Sequence, residues 1–231
     1  NNVFKKSNGD FFCWFSHDDI RNERFIESCL VKLINDKKAV LCQGETSIIL
    51  NDKIISKNSL LSFKNKKNLY QRYNETLNNF PATAIYGLYR SEAIKKTRLL
   101  RNSIAGDIIF INNLSLYGTF IYANIHTLDY QIRQKWNTIN EDYYAFYGQR
   151  KPYLYSPFLI FYFYNFLNIH KSKLKKQKKL ILFLILFKKM FLEFTIKIFK
   201  KIIFKFFKLS NNFNKLFYFK FFHNINIKII D

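Results

Sequence analysis

The stretch DFFCWFSHDDIRNERFIESCLVKL, from Asp10 to Leu33, restricts the fold more than any other part of this chain, because its hydrophobic period changes around two adjacent carboxylates. Phe11, Phe12, Trp14 and Phe15 make an aromatic run too short for a stable helix and suited to a buried strand. Beyond Asp18 and Asp19, the residues Phe25, Ile26, Cys29, Leu30 and Leu33 recur at helical spacing, with Arg21, Glu23, Arg24, Glu27 and Lys32 on the other side. An acidic pair where a buried strand stops and the chain turns outward stands where open α/β sheets bind ligands. Its oxygen ligands suit a hard divalent cation. The same pair is also compatible with a helix N-cap in a solvated loop.

A chain of 231 residues, 48% hydrophobic and 19% aromatic, can bury one substantial core. Its formal charge of +22 is unevenly placed. From Phe158 to Asp231 there are 16 Lys, no Arg and 2 acids, so 16 − 2 = +14 of that excess falls in the last third. The asymmetry predicts a basic module attached to a nearly ordinary globular part, with an anionic partner such as a membrane surface or nucleic acid. Cys13, Cys29 and Cys42 are odd in number, lack CxxC spacing and sit in apolar contexts, which reads as buried thiols in a reducing compartment.

Along the chain, Val40–Cys42 and Ser47–Leu50 read as a pair of short strands with Gly44 between them. Residues 51–79 read as a polar loop with a short helix over the sheet, Ala84–Leu88 as a strand, and Arg90–Leu100 as a helix. Gly106 and Asp107 open a further helix with Ile108, Ile111, Leu114 and Ser115 inward, ended by Gly118 as a C-terminal glycine.

Taken together, these residues resemble a family 2 inverting glycosyltransferase of the GT-A fold. The resemblance rests on an aromatic strand running into His17-Asp18-Asp19, a helix and second strand, then Tyr86-Gly87-Leu88-Tyr89-Arg90, Gly106-Asp107 and Gly118-Thr119-Phe120. It spans roughly Asn2 to Trp136. The fold it implies is α/β: a partial GT-A mixed sheet, like that of nucleotide-diphospho-sugar transferases, with flanking helices. Asp18 and Asp19 would be the family's variant of the DxD motif, holding Mn2+ or Mg2+ on the diphosphate of a nucleotide-sugar donor. Asp107 would be the general base, because an inverting displacement needs a carboxylate within reach of the attacking hydroxyl. Capping of its own helix is the alternative for Asp107. Tyr130, Arg133 and Trp136 match loosely a loop that closes over the diphosphate, where Arg133 would supply charge to the leaving group. The usual Arg-x-His is missing there, and a packed Trp136 with an exposed Arg133 is the other reading. His126 is assigned no role. The family's nucleotide-binding βαβ half would precede residue 1, so the resemblance is to an N-terminally truncated enzyme.

After Pro152 and Pro157 the composition turns basic, aromatic and apolar. Lys197, Lys201, Lys205 and Lys208 recur at spacings that put them on one helix face, among Phe, Ile and Leu. An amphipathic helix of this kind lies in the interface of an anionic membrane, each Lys contributing about 1 kcal/mol near the surface. Packing on the globular part, nucleic-acid binding, which the lack of Arg opposes, and compositional drift are the alternatives. The sequence therefore predicts a GT-A domain over residues 1–157 and a helical membrane-proximal tail over 158–231. The activity implied is hexosyl transfer to a glycan or lipid-linked acceptor in polysaccharide or glycan assembly, in the cytoplasm at the inner face of the membrane and without nucleic acid. A catalytically inactive, membrane-peripheral binding protein is the alternative.

Overall fold

The structure, a computed structural model, describes residues 1–66, 68–79, 82–132, 139–153 and 155–209. Its centre is a mixed six-stranded sheet. The strands are β1 (Phe11–Phe12), β2 (Ile20–Arg21), β3 (Ala39–Leu50), β4 (Lys53–Asn58), β5 (Leu88–Arg90) and β6 (Thr119–Ile132). The order is β1-β5-β3-β6-β2, with β4 also paired to β3. β3 and β6 run parallel over their whole length, and the other pairings are antiparallel.

Several elements differ from the sequence reading for identifiable reasons. The two short strands expected around Gly44 are one continuous strand. Gly44 does not break it, because a Cβ there would stand 2.0 Å from the Ile125 carbonyl oxygen of β6. The glycine thus permits close approach of two backbones at a bulged register. The polar loop after Leu50 begins with a hairpin instead. Asn51 and Asp52 both have positive φ, 49° and 59°, as a two-residue turn demands and as these side chains tolerate. The strand expected at Ala84–Leu88 is a 3-10 turn over Ala82–Tyr86 followed by β5, closed by the Gly87 N–H donating to the Ala84 carbonyl.

Helices cover both faces. α1 (Asn2–Lys6) leads in, and α2 (Phe25–Asn35) buries Phe25, Cys29 and Leu33 on the sheet beside Ala39 and Cys42, as its period requires. α3 (Leu69–Asn79) follows the polar stretch. α4 is only Ser91–Lys95, shorter than the helix read from Arg90 to Leu100, though Ala93 and Ile94 are buried as expected. α5 (Gly106–Leu114) is buried along Ile109, Phe110, Ile111, Asn112, Asn113 and Leu114. Gly118 is not its left-handed cap. It lies against β3, where a Cβ would meet the Val40 side chain at 2.2 Å and the Lys38 carbonyl at 2.5 Å. The opposite face of the sheet carries a second core built from Leu41, Leu60, Phe63, Tyr89, Ile94, Phe110 and Phe120.

Past α6 (Ile139–Tyr147), two helices dominate. α7 (Pro157–Lys171) starts with Pro157 behind Ser156, whose hydroxyl accepts from the Leu159 N–H at 3.3 Å. α8 (Lys176–Leu209) packs on α7 and α3, and α7 on α5. Tyr162, Ile169, Leu182 and Leu186 join Tyr73 and Leu77 in a third core. Tyr162 donates to Glu193 at 2.9 Å. Lys197 lies over the Phe158 ring, 4.2 Å from its centroid, so this member of the lysine series faces α7. The side chains of Lys201, Lys205 and Lys208 lie outside the described part. The solvent side of α8 is instead apolar: Leu180, Leu184, Phe187, Phe191, Phe194, Ile198 and Ile202 are exposed. At 100° per residue these fall within one arc of under 90°, running roughly 33 Å along the helix, and the exposed Ile181, Leu192 and Phe199 widen the apolar surface to one side of it. Leu159, Phe163 and Phe166 form an exposed stripe on α7, joined to α8 where Phe166 stacks on Phe183, centroids 4.8 Å apart. Among the described residues, no helix is long and apolar enough to cross a membrane.

Candidate active site

The acidic pair lies in the loop between β1 and β2. Trp14 anchors that loop in the core, edge-on to Phe12, Tyr89 and Phe110 with ring centroids about 5 Å apart. Only two residues of the aromatic run are strand, because Trp14 turns inward rather than continuing the pleat. Arg21, read from the sequence as part of a solvated helix face, is in β2 and half-buried. Its guanidinium donates to the Trp14 carbonyl at 2.9 Å and the Tyr86 carbonyl at 2.8 Å, and lies 4.2 Å from the Phe25 ring centroid. One cation thereby fixes both ends of the loop that carries the acids.

Asp19 is 8% exposed. Its Oδ1 accepts from the Gln131 backbone N–H at 3.0 Å, and its Oδ2 is buried with no hydrogen-bond partner among the described residues. Burial raises its pKa most. The Gln131 N–H opposes that shift, the Asp18 charge adds to it, and Arg21 and His17 act against it. Asp18 Oδ1 accepts from the Ser16 hydroxyl.

Asp107 is in the first turn of α5, where its Oδ1 accepts from the Ile108 N–H at 2.8 Å. The carboxylate therefore does cap its own helix in part. Burial still pushes its pKa up, against the N–H groups of Ile108 and of Asp107 itself.

The 107th residue and the acidic pair come from distant parts of the chain, and two phenols connect them. Tyr86, at the end of the 3-10 turn, and Tyr130, in β6, are tilted together with ring centroids 5.7 Å apart and share a hydrogen bond. Burial raises both phenols, and both are raised further by the charges of Asp19, Asp107 and Asp18. The charges of all three carboxylates thus act on one half-buried tyrosine pair, beside the point where Gln131 binds Asp19. Tyr86 and Tyr130 were visible in the sequence only as letters of the matched patterns. Arg21 carried no signal there at all, since its partners are backbone carbonyls. Arg133 and Trp136 lie outside the described residues.

Among the described residues, no group of three or more His, Cys, Asp or Glu could hold a metal ion by itself. His126 belongs to a different patch, its ring N–H donating to Asp129 at 2.8 Å and the ring standing 3.9 Å from Glu45, which pairs with Lys57 at 2.8 Å.

A mixed sheet with flanking helices and carboxylates at its rim is a GT-A-like α/β fold, the class the sequence resemblance implied. Among solved structures, the chain is similar to a crystal structure of S. aureus TarS 1-349, with 12% identity and a TM-score of 0.50, covering 83% of this chain and 50% of that one. It is equally similar to TarS 1-349 in complex with UDP, at 14% identity and a TM-score of 0.50, covering 79% of this chain and 47% of that one. The chain thus spans about half the length of the solved chains it matches. No protein-family model and no curated protein sequence matches it.

The raised carboxyls set a sign for stability against pH. Asp19 and Asp107 hold protons more tightly when folded than their ordinary value of 3.8, so their protonation favours the folded state. That contribution is full below about pH 3.8 and is lost as pH rises through the higher folded values. Asp19→Asn and Asp107→Asn should therefore each melt a few degrees higher than the parent at pH 7. The difference should close in melts run below pH 3.8, and a loss of stability at pH 7 would contradict the assignment.

Proposed function

We propose that this chain is the catalytic part of an inverting, family 2-type glycosyltransferase that moves one sugar from a nucleoside-diphosphate donor to a hydroxyl acceptor. The observation that supports it best is that the charges of Asp18, Asp19 and Asp107 all act on Tyr86 and Tyr130. A uridine diphosphate donor is the natural first candidate, since a protein of the same fold has been crystallised with UDP.

Asp18 and Asp19 fit a divalent cation, Mn2+ or Mg2+. Asp19 Oδ2 is an acceptor with no described partner, and an oxygen left bare in a buried place suits a hard cation. Two carboxylates are too few to fill such a cation's coordination, which leaves positions for the donor's diphosphate oxygens and water. When bound, the cation would neutralise charge developing on the nucleoside diphosphate. Asp107, raised by burial toward the range useful for a base, takes the proton of the acceptor hydroxyl. That oxygen forms a bond to the anomeric carbon as the bond from this carbon to the diphosphate oxygen breaks, and the electron pair leaves with the nucleoside diphosphate. Arg21 acts at a distance, holding the loop of the acidic pair against Tyr86. Arg133 would add positive charge on the diphosphate.

The division into a catalytic part, residues 1–157, and a membrane-proximal part, 158–231, belongs to the same reading. The apolar outer stripes of α7 and α8, amid a lysine excess, support a place on the anionic inner face of a membrane, in the cytoplasm. A glycan or lipid-linked acceptor in polysaccharide or glycan assembly would be met there. The same stripes favour the second reading, a membrane-peripheral binding protein without turnover.

Turnover separates these, and flotation tests the membrane contact that both share. With UDP-sugars and manganese, sugar transfer or donor hydrolysis should appear, and Asp107→Asn should lower kcat by about 10²–10⁴-fold. Turnover that survives the change removes Asp107 from the mechanism, and no turnover with any donor favours the binding protein. In vesicle flotation, the chain should rise with phosphatidylglycerol vesicles and much less with neutral ones. Leu184→Asp with Phe191→Asp should abolish flotation, and flotation unaffected by that pair would place the membrane contact elsewhere.

A further inference from the structure

The loop between α4 and α5 gathers hydrogen-bond donors that nothing in the described chain satisfies. Arg98 Nη1, Arg101 Nε and Nη2, and Ser103 Oγ are all buried without a partner among the described residues. Ser103 is only 4% exposed. The loop is well fixed: the Ser103 N–H donates to the Arg101 carbonyl and the Gly106 N–H to the Ser103 carbonyl, both at 2.9 Å, and Tyr147 donates to the Asn102 carbonyl at 3.0 Å. Leu99 and Ala105 adopt left-handed φ of 57° and 63° at its two ends. Gly106 lies so close to the Arg101 carbonyl that a Cβ would stand 2.3 Å from it.

Two guanidiniums belong to this one short loop. The charge of Arg98 lowers the pKa of Arg101, adding to the larger effect of burial, and the groups that act on Arg101 include no carboxylate. Its guanidinium instead lies 5.2 Å from the ring centroid of Tyr164 on α7. Neighbouring guanidiniums, partly desolvated and with bare N–H groups, are unfavourable unless an anion completes them. A phosphate offers more acceptor oxygens than one carboxylate to two planar forks, and a serine hydroxyl adds a donor.

We propose that Arg98, Arg101 and Ser103 form a binding site for a phosphate group. The site is distinct from the acidic pair and does not depend on sugar transfer, so a chain without turnover would leave it standing. Its surroundings favour a phosphate carried by a lipid headgroup. Tyr164 packs beside Phe163, ring centroids 5.7 Å apart, and Phe163 belongs to the exposed apolar stripe of α7. Acyl chains along that stripe would bring a headgroup phosphate level with the two arginines.

The test follows the arginine Nε–H signals of the whole chain by NMR, at constant ionic strength. Inorganic phosphate should shift the Arg98 and Arg101 signals saturably, and chloride should not. Arg98→Lys with Arg101→Lys keeps the charge and loses the forks, so it should weaken phosphate binding at least tenfold, with Ser103→Ala weakening it less. The source is then read with phosphatidylglycerol vesicles. Vesicle affinity that falls tenfold or more in the double lysine variant assigns the site to a lipid headgroup. Saturable phosphate binding with vesicle affinity unchanged keeps the site and assigns it to a soluble phosphate. The absence of any saturable shift at either guanidinium of the parent protein overturns the proposal, whether or not the variants fold.

Discussion

The contact on which the site most depends joins one side chain to two carbonyls: Arg21 with Trp14 and Tyr86. Strands β1 and β2 are two residues each, too short to position the loop between them by pairing alone. Arg21 makes good that shortage, because its fork reaches the loop's own backbone on one side and the 3-10 turn before β5 on the other. Stacked against Phe25, its charge is partly sheltered from water while both terminal nitrogens donate to carbonyls. Asp19 is then held from a third direction by the last turn of pairing in β6, through Gln131. The acidic pair is thus attached to rigid elements even though it belongs to a loop.

That arrangement costs stability in the folded chain and directs where it can be used. Carboxyls at Asp19 and Asp107 raised by burial, with two phenols raised beside them, are an unfavourable concentration of acid groups. Groups matched to proton transfer or cation binding have this character, since ordinary folding would bury apolar atoms in such a place. The two arginines beside Ser103 show the converse imbalance a short way along the same chain. Both imbalances lie near α5, one at its first turn and one in the loop before it.

Much of the fold was legible where a pattern was local. The amphipathic period of α2 placed Phe25, Cys29 and Leu33 correctly in the core, although Ile26, read on the same face, is exposed, and Gly106-Asp107 correctly opened α5. What could not be read were features set by partners far along the chain. Gly44 looks like a break in isolation, yet β6 presses against it. Gly118 looks like a cap, but Val40 and Lys38 are what require it. The fourteen residues of β6 alternate poorly because both faces are partly covered, so the strand that holds Asp19 and carries Tyr130 went unseen. The acids themselves stood out by residue type, while the tyrosines that link them and the arginine that orients them did not. On α8, the lysine spacing drew attention to one face, and the structure sets its Lys197 over the Phe158 ring and leaves Phe187, Phe191 and Phe194 exposed.

The proposed mechanism requires one divalent cation held by Asp18 and Asp19, in the loop between β1 and β2. Paramagnetic broadening by Mn2+, added substoichiometrically to the isotope-labelled protein with UDP present, tests it most directly. The strongest losses of signal should centre on the amides of Asp18, Asp19 and Gln131, extending to the Tyr86 and Tyr130 rings and to Ile108. Broadening centred on Glu45, His126 and Asp129 instead, with the amides around Asp19 unaffected, would contradict it.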